Sequence, residues 1–419
     1  MVDIVPRGSP GRTETTMARF ESLSGRALVR RVVAGGCVGC AGIGLAVAFG
    51  ATPVPVAEPT HVVLAYNDLG MHCMQRDFSR LLILPPYNTV QAVVIKRGNN
   101  PDIVREGGSD YALRYIIPSN THSADKTNWW VHQTALLGIS TPPDIGLTGN
   151  GMSGHLEPVG DGRWEVTGIP ITPLSDAGLD DPYPLATLTL EREGQVVEKT
   201  QTVVPVSWEI SCDICHAEPG VPTELDVLRD HDRIHGTTLE SQQPVFCAGC
   251  HADAALGAPG QTGVSTFSSA MHGAHADRLG SLPADFGNAC YACHPGQRAQ
   301  CQRDVHSAND VECLDCHGTM ADVGDPARRP WVDEPRCADC HTRAGFEFEQ
   351  PGTLYRNSFG HGGVACFACH GSPHAITPTV TDRDNLQAVR VQGAAGPLNT
   401  CTVCHTVMPA EPFFHRAEN

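Results

Sequence analysis

The region between residues 61 and 210 consists of short apolar runs separated by clusters of glycine, proline, asparagine and aspartate. Such runs predict β-strands, because β-branched residues fit a pleated, half-buried surface and the clusters supply the turns. The segment TLEREGQVVEKT predicts a hairpin that turns near Gly194. A region of about 150 residues can bury its own core. We therefore predict an N-terminal all-β, sandwich-like domain over residues 58–210, with strands in HVVLAY, TVQAVVIKR, YALRYII, RWEVTGIPI and LATLTLEREGQVVEKTQTVVPVSW.

The pattern reverses after residue 210, where long apolar runs are rare and glycine, proline, alanine and aspartate are frequent. One pentapeptide, Cys-x-x-Cys-His, occurs seven times in this region, and we number its copies as motifs one to seven in chain order. The motifs stand at residues 212–216, 247–251, 290–294, 313–317, 337–341, 366–370 and 401–405. The chain between neighbouring motifs is short and contains few apolar residues, so this region cannot form a conventional hydrophobic core from side chains alone. We predict that residues 211–419 form a haem-packed domain in which short helices and many loops surround the cofactors.

The motif has the residues that attach haem covalently, because its two thiols add to the porphyrin vinyl groups and the adjacent imidazole binds the iron. Zinc sites and dithiol redox motifs also use Cys-x-x-Cys pairs, but neither explains a histidine after every second cysteine. The sequence thus predicts seven haem c groups and a multihaem cytochrome c. The predicted attachment residues are Cys212, Cys215, Cys247, Cys250, Cys290, Cys293, Cys313, Cys316, Cys337, Cys340, Cys366, Cys369, Cys401 and Cys404, and the predicted proximal iron ligands are His216, His251, His294, His317, His341, His370 and His405.

The sixth iron ligand decides the function, because an iron with two histidines transfers electrons while an iron with an open position binds substrate. HDRIH and MHGAH place histidine pairs four and three residues apart, on one helical face each, which suits two haems that flank one helix. His306 and His361 stand just ahead of motifs four and six. Eight candidate distal ligands are present for seven irons: His231, His235, His272, His275, His306, His361, His374 and His415.

The N-terminal segment predicts export, which attachment of c-type haem requires in bacteria. Residues 1–57 combine basic residues that end at Arg30 and Arg31 with an apolar stretch and small residues before a predicted cleavage site after Ala57, and Met17 is an alternative start. No other run of 18 or more apolar residues follows, so we expect no membrane span after cleavage. The remaining chain has 23 basic and 43 acidic residues, a formal charge of −20 that disfavours nucleic acid as a partner.

Two cysteines of the mature chain lie outside the motifs, Cys73 and Cys301. In an oxidising compartment these two residues could form a disulfide between the domains, and free buried thiols are the alternative. Cys73 lies in NDLGMHCM, where Met71, His72, Cys73 and Met74 resemble a copper ligand set. Adjacent residues of an extended chain point to alternate sides, so we predict a packing role for the methionines instead.

Several strings between the motifs carry a family resemblance. These strings are YNDLGMHCM, ILPPYNTVQA, KTNWW, PVSWEISCDICH, CYACHPG, EPRCADCH and YRNSFGHGGVACFACHGSPHA. From about residue 61 to residue 405, the chain resembles large exported multihaem c-type cytochromes of bacteria that respire metals and other insoluble or sulfur-containing acceptors. The resemblance implies an electron carrier in the periplasm or at the cell surface, and some relatives assemble into extracellular chains. One departure is His306 in CQRDVH, where the family pattern leads us to expect methionine.

The sequence therefore predicts a non-catalytic electron carrier of anaerobic respiration, periplasmic or extracellular, that exchanges electrons with redox partner proteins or an extracellular acceptor. A multihaem reductase of a nitrogen or sulfur oxyanion, with one open haem, is the enzyme alternative. A third hypothesis is a polymerising cytochrome filament subunit that self-associates through the β domain or through shared haem ligands. In that hypothesis an N-terminal histidine such as His61 or His155 would bind a haem of a neighbouring subunit.

Overall fold

The computed structural model describes residues 59–107, 110–278, 288–344, 346, 348–412 and 415. The predicted signal segment, with Cys37 and Cys40, lies outside these residues. The strands of the described residues are β1 (His61–Asn67), β2 (His72–Cys73), β3 (Leu81–Leu82), β4 (Val90–Lys96), β5 (Asp102–Ile103), β6 (Tyr111–Ile116), β7 (Ser153–Pro158), β8 (Arg163–Val166), β9 (Leu185–Arg192), β10 (Gln195–Val203), β11 (Val206–Ser207) and β12 (Val245–Phe246). The α-helices are α1 (Trp129–Leu137), α2 (Thr223–His235), α3 (Phe267–His275), α4 (Cys313–His317), α5 (Met320–Val323), α6 (Cys337–Cys340), α7 (Cys366–His370) and α8 (Asp382–Gln392).

Eight of the described strands form one antiparallel sheet in the order β1-β4-β8-β7-β6-β9-β10, with β5 beside β4. The sheet curves until its two outer strands, β1 and β10, lie next to each other. Helix α8 covers this seam, where Gln387 accepts hydrogen bonds from the Ala65 amide (2.7 Å) and the Thr200 hydroxyl (3.1 Å). One side chain from the C-terminal region thus joins the two ends of the nearly closed sheet.

The predicted hairpin is confirmed. Strands β9 and β10 pair with Arg192 opposite Gln195, so Glu193 and Gly194 form the turn. Both turn residues have positive φ, 50° and 75°, as a type I′ turn requires. Ala186, Leu188 and Leu190 alternate into the core along β9, as the period of two in the sequence predicts.

Strands β1 and β4 are buried on both faces, which explains why their sequences are continuously apolar. Val63 and Ala65 of β1 point into the main core inside the sheet. Val62, Leu64 and Tyr66 point the other way, into a second core that includes Phe367 and Ala368 of α7 and Val403 of motif seven. The β region and the motif-bearing region therefore share a hydrophobic core.

Helix α1 is an element that the strand pattern did not predict. It begins after Asn128, and its chain leaves the helix at Gly138, which has a φ of 70° and donates its amide to the carbonyl of Thr134. Trp129 is buried against Phe78, with ring centres 5.0 Å apart. The helix packs its apolar residues onto the main core, so tertiary contact rather than a helical polar–apolar pattern explains its formation.

The N-terminal all-β prediction is confirmed in its coarser form, a mostly β region. Eight of its described strands form one continuous sheet rather than two stacked ones, while β2 with β11 and β3 with β12 form two short parallel pairs. The prediction of short helices in the C-terminal region is also confirmed, with no described helix there longer than the thirteen residues of α2. The described residues all belong to one compact unit, and the boundary at residue 210 stays a prediction. Within the described ranges, every helix is too short or too polar to cross a bilayer.

Candidate functional site

Each of the seven motifs forms a single helical turn. Motifs four, five and six begin α4, α6 and α7, whereas the others contain 3₁₀ turns, for example Cys212–Ile214 and Cys401–Val403. In motif one the His216 amide donates to the carbonyl of Cys212 at 2.9 Å, and equivalent bonds close the turns of motifs two, three, five and seven. A turn of this kind brings residues i, i+3 and i+4 to one face. Both thiols and the imidazole of a motif can therefore act on the same side of the chain.

Every motif histidine has one of the predicted distal histidines beside it. The ring centres of the seven pairs are separated by 5.7 to 6.4 Å, although the partners come from distant parts of the chain. The pairs are, in motif order, His216–His275, His251–His231, His294–His272, His317–His374, His341–His306, His370–His415 and His405–His361.

The separation of these rings fits one metal ion between two imidazoles. Imidazole nitrogen binds transition metals at about 2 Å, and a ring centre lies about 1 Å behind its nitrogen, so two rings on opposite sides of one ion have centres about 6 Å apart. The seven observed separations cluster around that value. The residues present therefore fit a bis-histidine site at each motif.

Several of these rings are oriented by hydrogen bonds from Nδ1, which leave Nε2 free. A carbonyl acceptor on Nδ1 fixes both the tautomer and the direction of a ligating histidine, and this is the usual outer-shell arrangement around metals. The Nδ1 atoms of His251, His272, His275 and His405 donate to the carbonyls of Ser265 (2.9 Å), Ser268 (2.7 Å), Met271 (2.6 Å) and Asn99 (3.1 Å), respectively.

Burial keeps several of the paired imidazoles neutral, which is the form that binds a metal. Burial, followed by neighbouring histidines, lowers the pKa of His294 to about 4. Burial and the adjacent His374 lower the pKa of His317 to about 4 in the same way. Burial is also the main cause that lowers the pKa of two further rings. These are His370 of motif six and His361, which faces motif seven.

The two histidines of helix α3 face two different motifs. His272 faces His294 of motif three, while His275 faces His216 of motif one. Thr266 caps the helix by accepting the amide of Ser269, and the Ser269 hydroxyl donates to the carbonyl of Gly324 after α5. These bonds fix the helix between the two motifs.

Helix α2 differs from the prediction for HDRIH. His231 lies 6.3 Å from His251 of motif two, but the ring of His235 contacts His231, at 4.8 Å, rather than a second motif. In the part of the chain that the structure describes, His235 is thus the predicted distal ligand without a motif histidine beside it. Each of the seven motif histidines is already paired with one of the remaining seven candidates.

Position in the sequence does not indicate which motif a distal candidate serves. His306 stands seven residues ahead of motif four but faces His341 of motif five. His361 stands ahead of motif six but faces motif seven, and His374, which follows motif six, returns to motif four.

The motifs lie in a spatial order that differs from the chain order only at its start. Ser211, just before motif one, donates its amide to the carbonyl of Ala292 in motif three. Helix α2 carries both Asp230, 3.3 Å from His216, and His231, so it lies between motifs one and two. From motif three onward, a thiol of one motif in each consecutive pair lies close enough to a thiol of the other motif to contribute to its pKa shift. Cys313 contributes to the shift of Cys290, Cys340 to that of Cys316, Cys337 to that of Cys366 and Cys404 to that of Cys369. The order in space is two, one, three, four, five, six, seven.

Cys73 and Cys301 are both unbonded in the structure, and the disulfide stays a prediction. Burial raises the pKa of Cys301 to about 11, and burial followed by the Cys301 thiol raises the pKa of Cys73, so the two residues are neighbours. The Cys301 sulfur also lies 4.0 Å from Nδ1 of His374. Cys301 therefore lies beside the histidine pair of motif four, and Cys73 lies near Cys301.

Arg303 is a structural residue that the sequence analysis missed. Its side chain is 1% exposed and makes a bidentate ion pair with Asp384 of α8, at 2.6 and 2.9 Å. It also donates to the carbonyl of Gly70 at 2.5 Å, and its own amide donates to the carbonyl of His374 at 2.8 Å. Gly70 approaches this segment so closely that an added Cβ would lie 2.1 Å from the Pro373 oxygen. Arg303 thus holds the His374 segment against the loop after β1.

Glu209 is a second residue that the analysis missed. This buried carboxylate, from the SWEISC segment before motif one, accepts the backbone amides of residues 296–299, with distances between 2.5 and 3.3 Å. Those residues form the loop after motif three. A glutamate next to a motif is not distinctive in a sequence with 46 acidic residues, so no sequence signal marked it.

The NDLGMHCM segment is a packing element. Met71 and Met74 are buried, and Met74 belongs to the main core, which confirms the packing role predicted for the methionines. His72 and Cys73 form β2, which pairs in parallel with β11, and His72 Nε2 bonds Asp68 at 2.7 Å.

Across the described ranges, no group of three or more histidine, cysteine, aspartate or glutamate side chains is arranged around one metal position. The histidine pairs are two-residue sites, as axial ligation of a macrocycle requires. Comparison of the chain with protein-family models, with curated proteins and with solved structures finds no match.

Proposed function

We propose that this protein is an electron-transfer cytochrome that holds seven haem c groups, each between two histidines of the same chain. The observation that supports this function is the set of seven histidine pairs with ring centres 5.7 to 6.4 Å apart. When bound, such haems supply one-electron oxidation and reduction. The motif thiols would tether the groups, and the paired imidazoles would occupy both axial positions.

The arrangement of the motifs supports transfer along a line. Motifs one and two lie on either side of helix α2, and from motif one onward each motif lies near the next in the order one, three, four, five, six, seven, so motifs two and seven are the ends. Partners would exchange electrons at these ends. The negative mature chain, with 43 acidic and 23 basic residues, favours partners with a positive contact surface.

The pairing of all seven motifs favours electron transfer over the reductase alternative, because two histidines leave no axial position for a substrate. The shared-ligand form of the filament hypothesis also receives little support from His61. This residue is 1% exposed, and its ring nitrogens are bonded to Thr60 (2.8 Å) and Tyr111 (3.0 Å). His155 is exposed on β7 and bonds Arg114 at 2.8 Å. Export to the periplasm or cell surface belongs to the same proposal.

The test is the haem count and the spin state of the protein purified from a host that attaches c-type haem. Mass spectrometry should give seven haems per chain, and the oxidised protein should be low-spin throughout and, once reduced, should not bind carbon monoxide. Replacement of His374 by alanine should turn about one-seventh of the haem high-spin and reactive with carbon monoxide, since one axial ligand is removed. His155→Ala is the matched control and should change nothing. Fewer than seven haems, or a high-spin fraction in the wild type, would refute the proposal.

A further inference from the structure

Helix α2 holds one more histidine than its site needs. Its last turn carries His231 and His235 four residues apart, so the two imidazoles lie one above the other on the same face. Their ring centres are 4.8 Å apart, close to the rise of about 5.4 Å per helical turn. Only His231 of the two reaches His251 of motif two in the described structure, at 6.3 Å.

The His231 ring is held by a hydrogen bond at its Nδ1 atom. Its Nδ1 bonds the hydroxyl of Thr237 at 2.8 Å, and that hydroxyl donates to Asp232 at 2.6 Å. Asp232 also accepts the amides of Leu239 and Glu240, which fastens the loop after the helix. A single neutral hydrogen bond contributes little net stability, because water competes for both partners. The Thr237 contact thus favours the observed position of the His231 ring but does not fix it rigidly.

The last turn of the helix is exposed, and the buried residue of the helix lies before this turn. Leu228 is its buried residue, while Ile234 is 55% exposed and the residues from Arg233 to Gly236 are all exposed. Gly236 ends the helix with a φ of 67° and donates its amide to the carbonyl of Asp232. A movement by one helical turn is a known type of two-state rearrangement. Here it would carry His235 to the position that His231 occupies.

We propose that His231 and His235 are alternative distal ligands of the motif-two site, so that either imidazole can face His251. With a haem bound at motif two, either His231 or His235 would supply the distal imidazole, and the exchange would involve no oxidation or reduction. It rests on the proposed function, and it assigns a replaceable ligand to an end of the line of motifs, where a partner would dock. The other motif sites of the described structure have one distal candidate each at comparable distance.

Three variants of the haem-loaded protein test this inference through the spin state of the oxidised form and carbon monoxide binding of the reduced form. His231→Ala should stay low-spin, because His235 takes over. His235→Ala should resemble the wild type. The double variant should gain a high-spin, carbon monoxide-binding fraction of about one-seventh. The matched control is His306→Ala, which removes the partner of His341. Among the described residues no second spare histidine is paired with His341, so this single change should gain that fraction.

A gain of the one-seventh fraction in His231→Ala alone would overturn the inference, since His235 then does not reach the site. A double variant that stays low-spin would overturn it as well, because another residue would be the ligand. Either result leaves the haem count of the wild type at seven. A wild-type count below seven would instead refute the proposed function, so the two failures are distinguishable.

Discussion

Replacement of Arg303 by methionine tests how strongly the β region and the motif-bearing region are joined. Arg303 and Asp384 are 1% and 9% exposed, and two hydrogen bonds of 2.6 and 2.9 Å join them. The guanidinium also donates to the Gly70 carbonyl at 2.5 Å and lies 4.9 Å from the centre of the Tyr183 ring. Methionine fills a similar volume but supplies none of these bonds.

The expected loss follows from the charge that the change leaves behind. Removal of one partner of a buried ion pair leaves the other charge without compensation, and this costs about 3–5 kcal/mol of the free energy of unfolding. Arg329→Met is the matched control, because its pair with Asp333 is 2.6 Å long but 71% and 37% exposed. Solvent screens an exposed pair of this kind, so the control should lose much less stability than Arg303→Met.

The assay is urea denaturation of the haem-loaded proteins, followed by far-ultraviolet circular dichroism. Arg303→Met should lower the free energy of unfolding by about 3–5 kcal/mol, and Arg329→Met should change it far less. The double variant Arg303→Met/Asp384→Leu should recover part of the loss, since it removes the second charge as well. If Arg303→Met and Arg329→Met are destabilised equally, the claim that Arg303 holds the two regions together is wrong.

Three further changes have defined outcomes. Glu209→Ala leaves the amides of residues 296–299 without their shared acceptor and should lower the free energy of unfolding by about 2–4 kcal/mol in the same urea assay, and a loss below about 1 kcal/mol would contradict the role given to this carboxylate. Burial alone would raise the pKa of Asp176, but hydrogen bonds from Lys126 and Thr121 outweigh it and hold the pKa at about 2. Because this pKa is below the unfolded value of about 3.9, the stabilisation is present above pH about 4 and is lost as the pH falls towards 2. Asp176→Asn should therefore abolish a solvent-screened stabilisation of at most about 1 kcal/mol at pH 6 and change little near pH 2, and an equal effect at both pH values would contradict it. Thiol titration of the unfolded, unreduced protein should find no reactive thiol if Cys73 and Cys301 are bridged, while two reactive thiols would rule the disulfide out.

The parts of the fold that the sequence predicted are those in which a local pattern is sufficient. The alternation of Ala186, Leu188 and Leu190 and the Glu193–Gly194 turn depend on neighbours in the chain, and both are present. Helix α1 was missed because its apolar residues lack a helical period and their burial depends on the sheet below. The closure of the sheet by Gln387 depends on a residue more than 180 positions away from its partners, and such contacts leave no local signal.

In the candidate site, too, the sequence predicts the residue types but not the contacts between distant parts of the chain. The seven motifs and the eight further histidines are visible as residues, and their types restrict the chemistry. Which histidine faces which motif depends on the path of the chain in space, and His306 illustrates this, since it passes over the nearest motif to reach His341. The buried supports, Arg303 and Glu209, are ordinary charged residues in sequence and become distinctive only through their burial.

The return of His374 to motif four has a consequence for how the protein matures. Motif four is complete as a sequence once residue 317 has been made, yet the histidine that faces His317 follows two further motifs. A chain cut before residue 374 would keep every residue needed to attach a haem at motif four and would lack that partner histidine. If haem is attached during secretion, as the proposed function implies, a haem at this motif would wait for a later part of the chain before its site is complete, and a truncated product would lack the second histidine of that site.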